Sequence, residues 1–376
     1  MAIIDGLPTA SANAEVSRPL YYAYVGSFTT EERNARGDGI HVYRFDGSSA
    51  SWNEIQHVPG LVNPSFLVCK LDRTALYAVH GDQTYATAFT IDRLTGQLTR
   101  LNQADTGGRN VVHQAFDPSG QYMIVANYAS GSVAVLPLRS DGSLATYSQL
   151  LPLPGDPGPH RIEQTCSHPH QIVFDPTGSL VLIPDKGLDR IFVLKFDPAQ
   201  GKLQWTDPGF LSSRPGAGPR HLTFNPSGQT VWILNELDSS VLTCRWDPSR
   251  AQLSPVQVLP TLPPNFFGAS TAASIAVDPS GNYVYASNRG HDSIAVFKVD
   301  AATGTLIVVG WECTRGKDPR FICISPDGHL LIAANEQGDT IITFKVNSGT
   351  GELTPFGDVL RISSPVTIAF AKAEEA

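Results

Sequence analysis

GPRHLTFNPSGQTVWILNE, residues Gly218 to Glu236, decides the fold. Arg220 to Phe224 is a short run of strand-forming residues. Asn225-Pro226-Ser227-Gly228 puts an Asx residue first, proline second and glycine fourth, the pattern of a type I turn. Thr230 to Leu234 is a second apolar run, so the stretch reads as a β-hairpin. A hairpin returns its ends to one another. Arg220, entering the first strand, and Glu236, leaving the second, are therefore expected at the same edge of a sheet, with His221 and Asn235 beside them.

The unit recurs. Copies run through Ser65–Asp72, His113–Asp117 with Pro118-Ser119-Gly120, and His170–Asp175 with Pro176-Thr177-Gly178. Further copies are Ser274–Asp278 with Pro279-Ser280-Gly281 and Arg320–Ser325 with Pro326-Asp327-Gly328, with a partial one at Val366 to Ala371. A period near 50 residues made only of strand-like segments is the mark of a β-propeller, and seven copies mean seven blades. The last copy stops one strand into a blade. At the other end, Tyr21–Phe28 and Gly39–Phe45 are strand-like with no inner strand before them. Closure of the ring by pairing these N-terminal strands with the C-terminal strand is expected, and it would remove exposed edges.

The repeat overrides the length-based expectation of two or three domains for 376 residues. Residues 20–373 read as one all-β, seven-bladed propeller domain, and residues 1–19, polar and without an apolar core segment, read as a flexible tail rather than a secretory signal. With 41% hydrophobic and 16% charged residues and a net charge of −8, the chain has the composition of a soluble globular protein. Nothing in it favours nucleic acid or a membrane as partner. The five cysteines are odd in number and unclustered, which reads as a reduced, cytoplasmic protein. Oligomeric state is open at this level. The Pro-rich stretches Ser148–Cys166 and Pro255–Ala272 precede inner strands and are expected to cover one mouth of the ring.

The hairpin logic lines that mouth with His113, His170, Arg220, Ser274 and Arg320 from the first strands, and with Asn127, Asp185, Glu236, Arg289 and Glu336 from the second. A mouth crowded with histidine, arginine and carboxylate is a functional signal, although polar mouths also occur in propellers that only bind. His168 and His170 share a strand face near His160, but no third ligand at a recognisable spacing completes a metal site. No Gly-x-Ser-x-Gly elbow and no phosphate-binding loop is present.

Ala126-Asn127-Tyr128-Ala129-Ser130-Gly131-Ser132-Val133, Pro169-His170-Gln171, Gly218-Pro219-Arg220-His221, Leu234-Asn235-Glu236-Leu237-Asp238-Ser239, Ser287-Asn288-Arg289-Gly290-His291-Asp292-Ser293 and Asp318-Pro319-Arg320 together resemble the seven-bladed lactonase family. That family includes bacterial propeller-type 6-phosphogluconolactonases and fungal 3-carboxy-cis,cis-muconate lactonising enzymes. The resemblance runs from Tyr21 to Phe370. It implies a small-molecule lactone or carboxylate substrate, no cofactor and no metal. It also implies catalytic roles for His170, Arg220 and Glu236, and a site role for Arg289. His221, Asn235, Arg320 and His113 join these as substrate-binding candidates by position, with packing near the channel as the other reading of His113.

In lactone hydrolysis His170 would be the general base and the arginines would grip the substrate anion and the developing oxyanion. Glu236 would orient an arginine or act as a second base. Lactonisation of a muconate is the alternative reaction, and a non-catalytic binding propeller the alternative class. Two departures from the family pattern stand out: Ser274, where an acid is usual, and Lys186, which reads as a solvated loop lysine, with an added anion contact as the other reading.

Overall fold

A computed structural model describes residues 20–374, and the expected tail at residues 1–19 lies outside them. Seven antiparallel sheets form the ring. From the channel outward, blade 1 comprises Pro64–Cys69, Ala75–His80, Tyr85–Ile91 and Leu98–Asp105. Blade 2 comprises Val111–Phe116, Tyr122–Asn127, Ser132–Pro137 and Gln149–Pro152; blade 3, Val173–Phe174, Leu180–Asp185, Arg190–Asp197 and Lys202–Ser212. Blade 4 comprises Pro219–Phe224, Thr230–Asn235, Ser240–Asp247 and Gln252–Pro260; blade 5, Thr271–Val277, Tyr283–Arg289, Ser293–Val299 and Leu306–Cys313. Blade 6 comprises Pro319–Ile324, Leu330–Asn335, Thr340–Val346 and the short pieces Leu353–Pro355 and Leu360–Arg361. Blade 7 closes the ring as expected: Pro365–Lys372 pairs with Leu20–Ser27, with Tyr24 opposite Ala369, and Gly39–Asp46 and Ser51–Pro59 complete it.

Burial explains the strand sequences. The second strand of each blade is covered on both faces by its neighbours, so Ala75–His80, Leu180–Asp185 and Leu330–Asn335 are buried at every position and read as unbroken apolar runs. The outermost strands, such as Gln252–Pro260, are largely exposed. Seven hydrophobic clusters fill the seven blade interfaces; one of them joins Leu182 and Val193 of blade 3 to Val231 and Ile233 of blade 4. A recurrent strap ties the blades together. Tyr24 Oη, Trp232 Nε1 and Tyr285 Oη each donate to the carbonyl of a glycine in the next blade's outer turn (Gly96, 3.0 Å; Gly304, 3.1 Å; Gly351, 3.0 Å). Those glycines have φ near +74°, and a Cβ on Gly304 would fall 2.4 Å from Thr230 Oγ1, so the approach requires glycine there.

One feature places the site. Six of the seven inner strands carry an irregularity at their mouth-side end, where the register skips between Pro64 and Phe66, Val111 and His113, Pro219 and His221, Ala272 and Ile275, Pro319 and Phe321, and opposite Gly26/Ser27. A bulge re-aims a side chain, and Ser65, Val112, Arg220, Arg320 and Val366 are the skipped residues whose side chains line the channel. Blade 3 solves the same problem differently. Only Val173–Phe174 pairs as a strand, and Pro169 forms an isolated bridge to Asp185, so the expected strand from His170 is mostly irregular backbone. What sets blade 3 apart locally is Asp185, which accepts from Ser167 Oγ and from the His168, Gly187 and Leu188 amides.

The two expected mouth loops are shorter than the sequence suggested. Gln149–Pro152 and Pro255–Pro260 belong to outermost strands, where proline's missing donor faces outward at little cost. The segments that reach the mouth are 153–172 and 261–271.

Candidate active site

At the mouth opposite the Asn225–Gly228 turn lies a cleft of ≈ 530 Å³. Its floor comes from two tiers of the repeat. The residue after Asn127, Asp185, Asn235 and Asn288 supplies Tyr128, Lys186, Glu236 and Arg289, and the inner-strand bulges supply Val112 and Arg320, with His170 as the blade 3 counterpart. Connecting segments add Arg33, Asn110, His160 and Glu163, and the start of the blade 5 inner strand adds Thr271. A wider cleft of ≈ 1090 Å³ on the opposite face is walled by hairpin-turn residues around Asp175, Asn225 and Asp300, without convergent buried cations.

Glu236 is the hub. Its Oε1 lies 3.1 Å from Lys186 Nζ and 3.2 Å from Arg289 Nη2, and its Oε2 lies 2.8 Å from Arg220 Nε, although off hydrogen-bond alignment. Burial pushes its pKa up, but Arg289, Lys186, Arg220 and Arg320 outweigh that and hold the carboxyl well below the usual glutamate range. A carboxylate so gripped is a poor base, so the geometry gives Glu236 the orienting role. Arg220 is 3% exposed. It lines the channel beneath the cleft and donates through Nη1 to the Ala273 carbonyl. Burial, with Arg289 and Arg320 nearby, lowers its pKa to about 9 against the pull of Glu236, and it stays charged at neutral pH. Arg220 therefore sits under the hub, while Arg289 and Arg320 face the cleft. Arg289 keeps a buried Nε without a partner. Arg320 pairs with Glu336 at 3.3 Å.

His170 projects at the boundary of cleft and channel. Its amide donates to the Pro184 carbonyl at 3.0 Å, its ring meets Tyr128 edge-on at 5.6 Å, and its Nδ1 is buried without a partner. Burial first, then Arg220, Lys186 and Arg320, depress its pKa well below 6.5. The imidazole is neutral at physiological pH and able to take a proton from a water. His221 and His113 lie deeper, their rings 5.9 Å apart, and His113 packs on Phe66 with ring centroids at 4.0 Å. His113 belongs to the channel packing, because the bulge makes Val112, not His113, the counterpart of Arg220. His80, His113, His170 and His221 are all buried and all lowered, His80 to about 4 and His113 to about 3. A histidine depressed in the fold destabilises as pH falls below its unfolded value of 6.5, since only the unfolded chain gains the proton. Unfolding at pH 5.5 should therefore take up roughly three to four protons, measured by calorimetry in buffers of different ionisation enthalpy; uptake below one proton would contradict it.

Asn235 does not reach the cleft. It is one of four asparagines, Asn127, Asn235, Asn288 and Asn335, that stand at or one residue before the end of a second strand and donate Nδ2 to a Ser or Thr hydroxyl five residues on (Ser132, 3.4 Å; Ser240, 2.9 Å; Ser293, 3.3 Å; Thr340, 3.2 Å). It braces the blade. Asn235→Ala should lower unfolding free energy by ~1–2 kcal/mol and leave kcat and KM within about twofold; a selective rise in KM would return it to the site.

The same alignment corrects two mouth positions. Asn127 and Asp185 are bracing residues, and the residues after them, Tyr128 and Lys186, occupy the cleft. Lys186 is not a solvated lysine. It is 4% exposed, with Glu163 at 2.7 Å and Glu236 at 3.1 Å. Burial opposes its charge, but Glu236, Tyr128 and Glu163 keep the ammonium on. Tyr128 stacks on His168 at 4.3 Å. Ser274 bonds the Ile322 carbonyl at 3.3 Å and leaves Arg289 to Glu236, so the arginine is oriented without an acid at 274. The departures at 186 and 274 thus resolve in opposite directions: one residue is in the site and the other is in the wall.

The model of the lactonase seven-bladed β-propeller family matches residues 22–370. A 6-phosphogluconolactonase of Bacillus subtilis is 33% identical over 302 residues, 80% of this chain and 84% of the relative. A 6-phosphogluconolactonase of Formosa agariphila is 31% identical over 79% of this chain and 84% of its own. The solved periplasmic gluconolactonase of Pseudomonas aeruginosa superposes with a TM-score of 0.88 at 30% identity, covering 94% of this chain and 100% of that one. With the ring closed, the repeat resolved into seven blades and nearly its whole length matched, the chain belongs to the seven-bladed β-propeller lactonase family.

Proposed function

We propose that this protein hydrolyses a phosphorylated sugar-acid δ-lactone of the 6-phosphogluconolactone kind. The observation that carries the reading is the neutral His170 at the floor of a cleft whose walls present Lys186, Arg289, Arg320 and Arg33. A lactone carbonyl needs a water deprotonated as it attacks and a place for negative charge on the former carbonyl oxygen. His170 takes the proton of the attacking water. The tetrahedral oxyanion falls toward Arg289, fixed by Glu236. Collapse breaks the ring C–O bond, and the ring oxygen leaves as an alkoxide that recovers the proton from His170. Arg320 and Arg33, across the cleft, receive the phosphate, for which the planar guanidinium fork is suited. A cytoplasmic setting is part of the same reading, supported by the odd, unclustered cysteines.

The test is proton release by pH-stat from fresh 6-phosphoglucono-δ-lactone and from glucono-δ-lactone, corrected for spontaneous opening. We expect kcat/KM for the phosphorylated substrate to exceed that for the other by ~10²-fold or more, about the value of two charge-assisted hydrogen bonds. Equal turnover of both would remove the phosphate from the reading. Turnover of neither would overturn it in favour of carboxylated lactones, tested next in the lactonising direction.

A further inference from the structure

Phe28 follows the last residue of the Leu20–Ser27 strand, at the seam where blade 7 closes the ring. Its amide donates to the Ser364 carbonyl at 3.1 Å and its carbonyl accepts from the Gly37 amide at 3.1 Å, so its backbone is fixed from two sides. The side chain is 2% exposed and lines the channel beneath the cleft. It has no polar atom, and it lies among charges. The guanidinium carbon of Arg33 stands over its ring 4.3 Å from the centroid, and that of Arg320 stands over the same ring at 4.9 Å. Both arginines also line the cleft. The ring edge packs on Gly81, where a Cβ would fall 3.2 Å from Phe28 Cε1, so the ring has little room to turn away on that side.

We infer, on the phosphate reading of the cleft, that Phe28 is a positioning residue that sets substrate preference: its ring holds Arg33 and Arg320 as one preformed clamp for a phosphomonoester dianion. Two guanidinium groups over one ring repel each other. Each is also tied to its own carboxylate. Asp82 Oδ1 accepts from Arg33 Nη2 at 2.7 Å and Asp82 Oδ2 pairs with Arg33 Nε, while Glu336 Oε2 accepts from Arg320 Nη1 at 3.3 Å. Asp82 follows the second strand of blade 1 and Glu336 follows that of blade 6, so these bonds anchor the two arginines to blades on either side of blade 7. The negative face of the ring attracts both cations and gives them a common point. A carboxylate in its place would also hold them, but it would neutralise the clamp and repel the phosphate. Among the described residues, the hydrogen bonds to carboxylate oxygens use Nε and Nη2 of Arg33 and Nη1 of Arg320. Arg33 Nη1 and Arg320 Nε and Nη2 are left to donate to phosphate oxygens. A clamp already set loses no binding energy in bringing two like charges together. Leucine at this position would fill most of the space and leave the pair to splay.

The test compares full-length wild type, Phe28→Leu, and the protein with Phe28 replaced by 3,4,5-trifluorophenylalanine through amber suppression. Fluorine drains charge from the ring face with little change of shape, so the third protein keeps the packing and loses the attraction. Two measurements are made on each: calorimetric titration with 6-phosphogluconate and with gluconate, and kcat and KM for the corresponding δ-lactones. Phe28→Leu should weaken 6-phosphogluconate binding by ~10-fold, and the fluorinated ring by ~3-fold or more. KM for the phosphorylated lactone should rise in step while kcat moves by less than about threefold, and the preference over the unphosphorylated lactone should shrink by the same factor. A wild-type preference that survives unchanged in both variants would overturn the role of Phe28 and leave the phosphate reading standing. Equal losses for both lactones would mark a merely structural residue and overturn it too. Wild type that binds 6-phosphogluconate no better than gluconate would sink the phosphate reading itself, and the clamp with it. Should far-ultraviolet dichroism show Phe28→Leu misfolded, the fluorinated protein decides alone.

Discussion

Replacing His170 with asparagine is expected to lower kcat for lactone hydrolysis by ~10²–10⁴-fold, the range for removing a general base, while Tm moves by only a few degrees. Asparagine keeps a polar group of similar size in the slot between Tyr128 and His221 but cannot accept and return a proton. The stability term is small because His170 contributes no side-chain hydrogen bond to the fold: its buried Nδ1 has no partner. The pH profile adds a second arm. Burial and the neighbouring cations hold the free imidazole well below 6.5, so the acidic limb of kcat/KM, which reports the free enzyme, should lie well below the ordinary histidine value. A bound phosphate adds negative charge beside the same ring, so the limb of kcat should lie at higher pH than that of kcat/KM. Steady-state kinetics from pH 4.5 to 8 measures both. Retention of a tenth or more of wild-type kcat in His170→Asn would remove the histidine from the chemistry.

Glu236→Gln is expected to cost ~3–5 kcal/mol of unfolding free energy, the usual penalty for removing one partner of a buried charge pair, with Tm falling roughly 5–10 °C. Three cations, Lys186, Arg220 and Arg289, meet on this one carboxylate. Glutamine has the same shape and no charge. Lys186 retains Glu163; Arg220 and Arg289 are left facing one another. The pH dependence has a definite sign. The folded carboxyl is held below the unfolded value of 4.5 by Arg289, Lys186, Arg220 and Arg320 against the opposing effect of burial. Its contribution is therefore fully present above about pH 5.5 and is lost as pH falls through 4.5 toward the folded value. The Tm gap between wild type and Glu236→Gln should be widest near neutrality and should narrow below pH 4.5. Inorganic phosphate should raise the Tm of the variant more than that of wild type, because an anion can replace the missing charge. Hydrolysis should fall by ~10–100-fold as the guanidinium groups lose their common partner and drift from position. A Tm within one degree of wild type at pH 7 would show that the carboxylate is not the hub.

The blade count, the ring closure and the meeting of Arg220 with Glu236 could all be read from the chain, because turn chemistry repeats at a near-constant interval and a hairpin must return its ends. Lys186 and Tyr128 were within reach of the same method. Aligning the copies on Asn127, Asp185, Asn235, Asn288 and Asn335 puts Tyr128, Lys186, Glu236, Arg289 and Glu336 in one column. Position alone cannot separate that column from its neighbour, because the bracing asparagine and the residue after it are both polar. The bond to a hydroxyl five residues on makes the distinction, and it is visible only once that hydroxyl is seen to face back.

What the amino-acid order determined by itself is the periodic part: strands whose apolar runs match burial by neighbouring blades, tight turns built from Asx, proline and glycine, and a last strand that must find the first. The tertiary structure decided the aperiodic part. Bulges shift the register at the mouth in six of the seven inner strands, which sends Val112 rather than His113 to the cleft and turns Arg220 under Glu236. Burial converts Lys186 from a solvent lysine into a fixed ammonium and leaves four histidines neutral. Ring closure sets Phe28 beside Arg320 from the far end of the chain. Each of these depends on the distance between groups remote in sequence and on the water excluded around them, and neither is a property of a single stretch of chain.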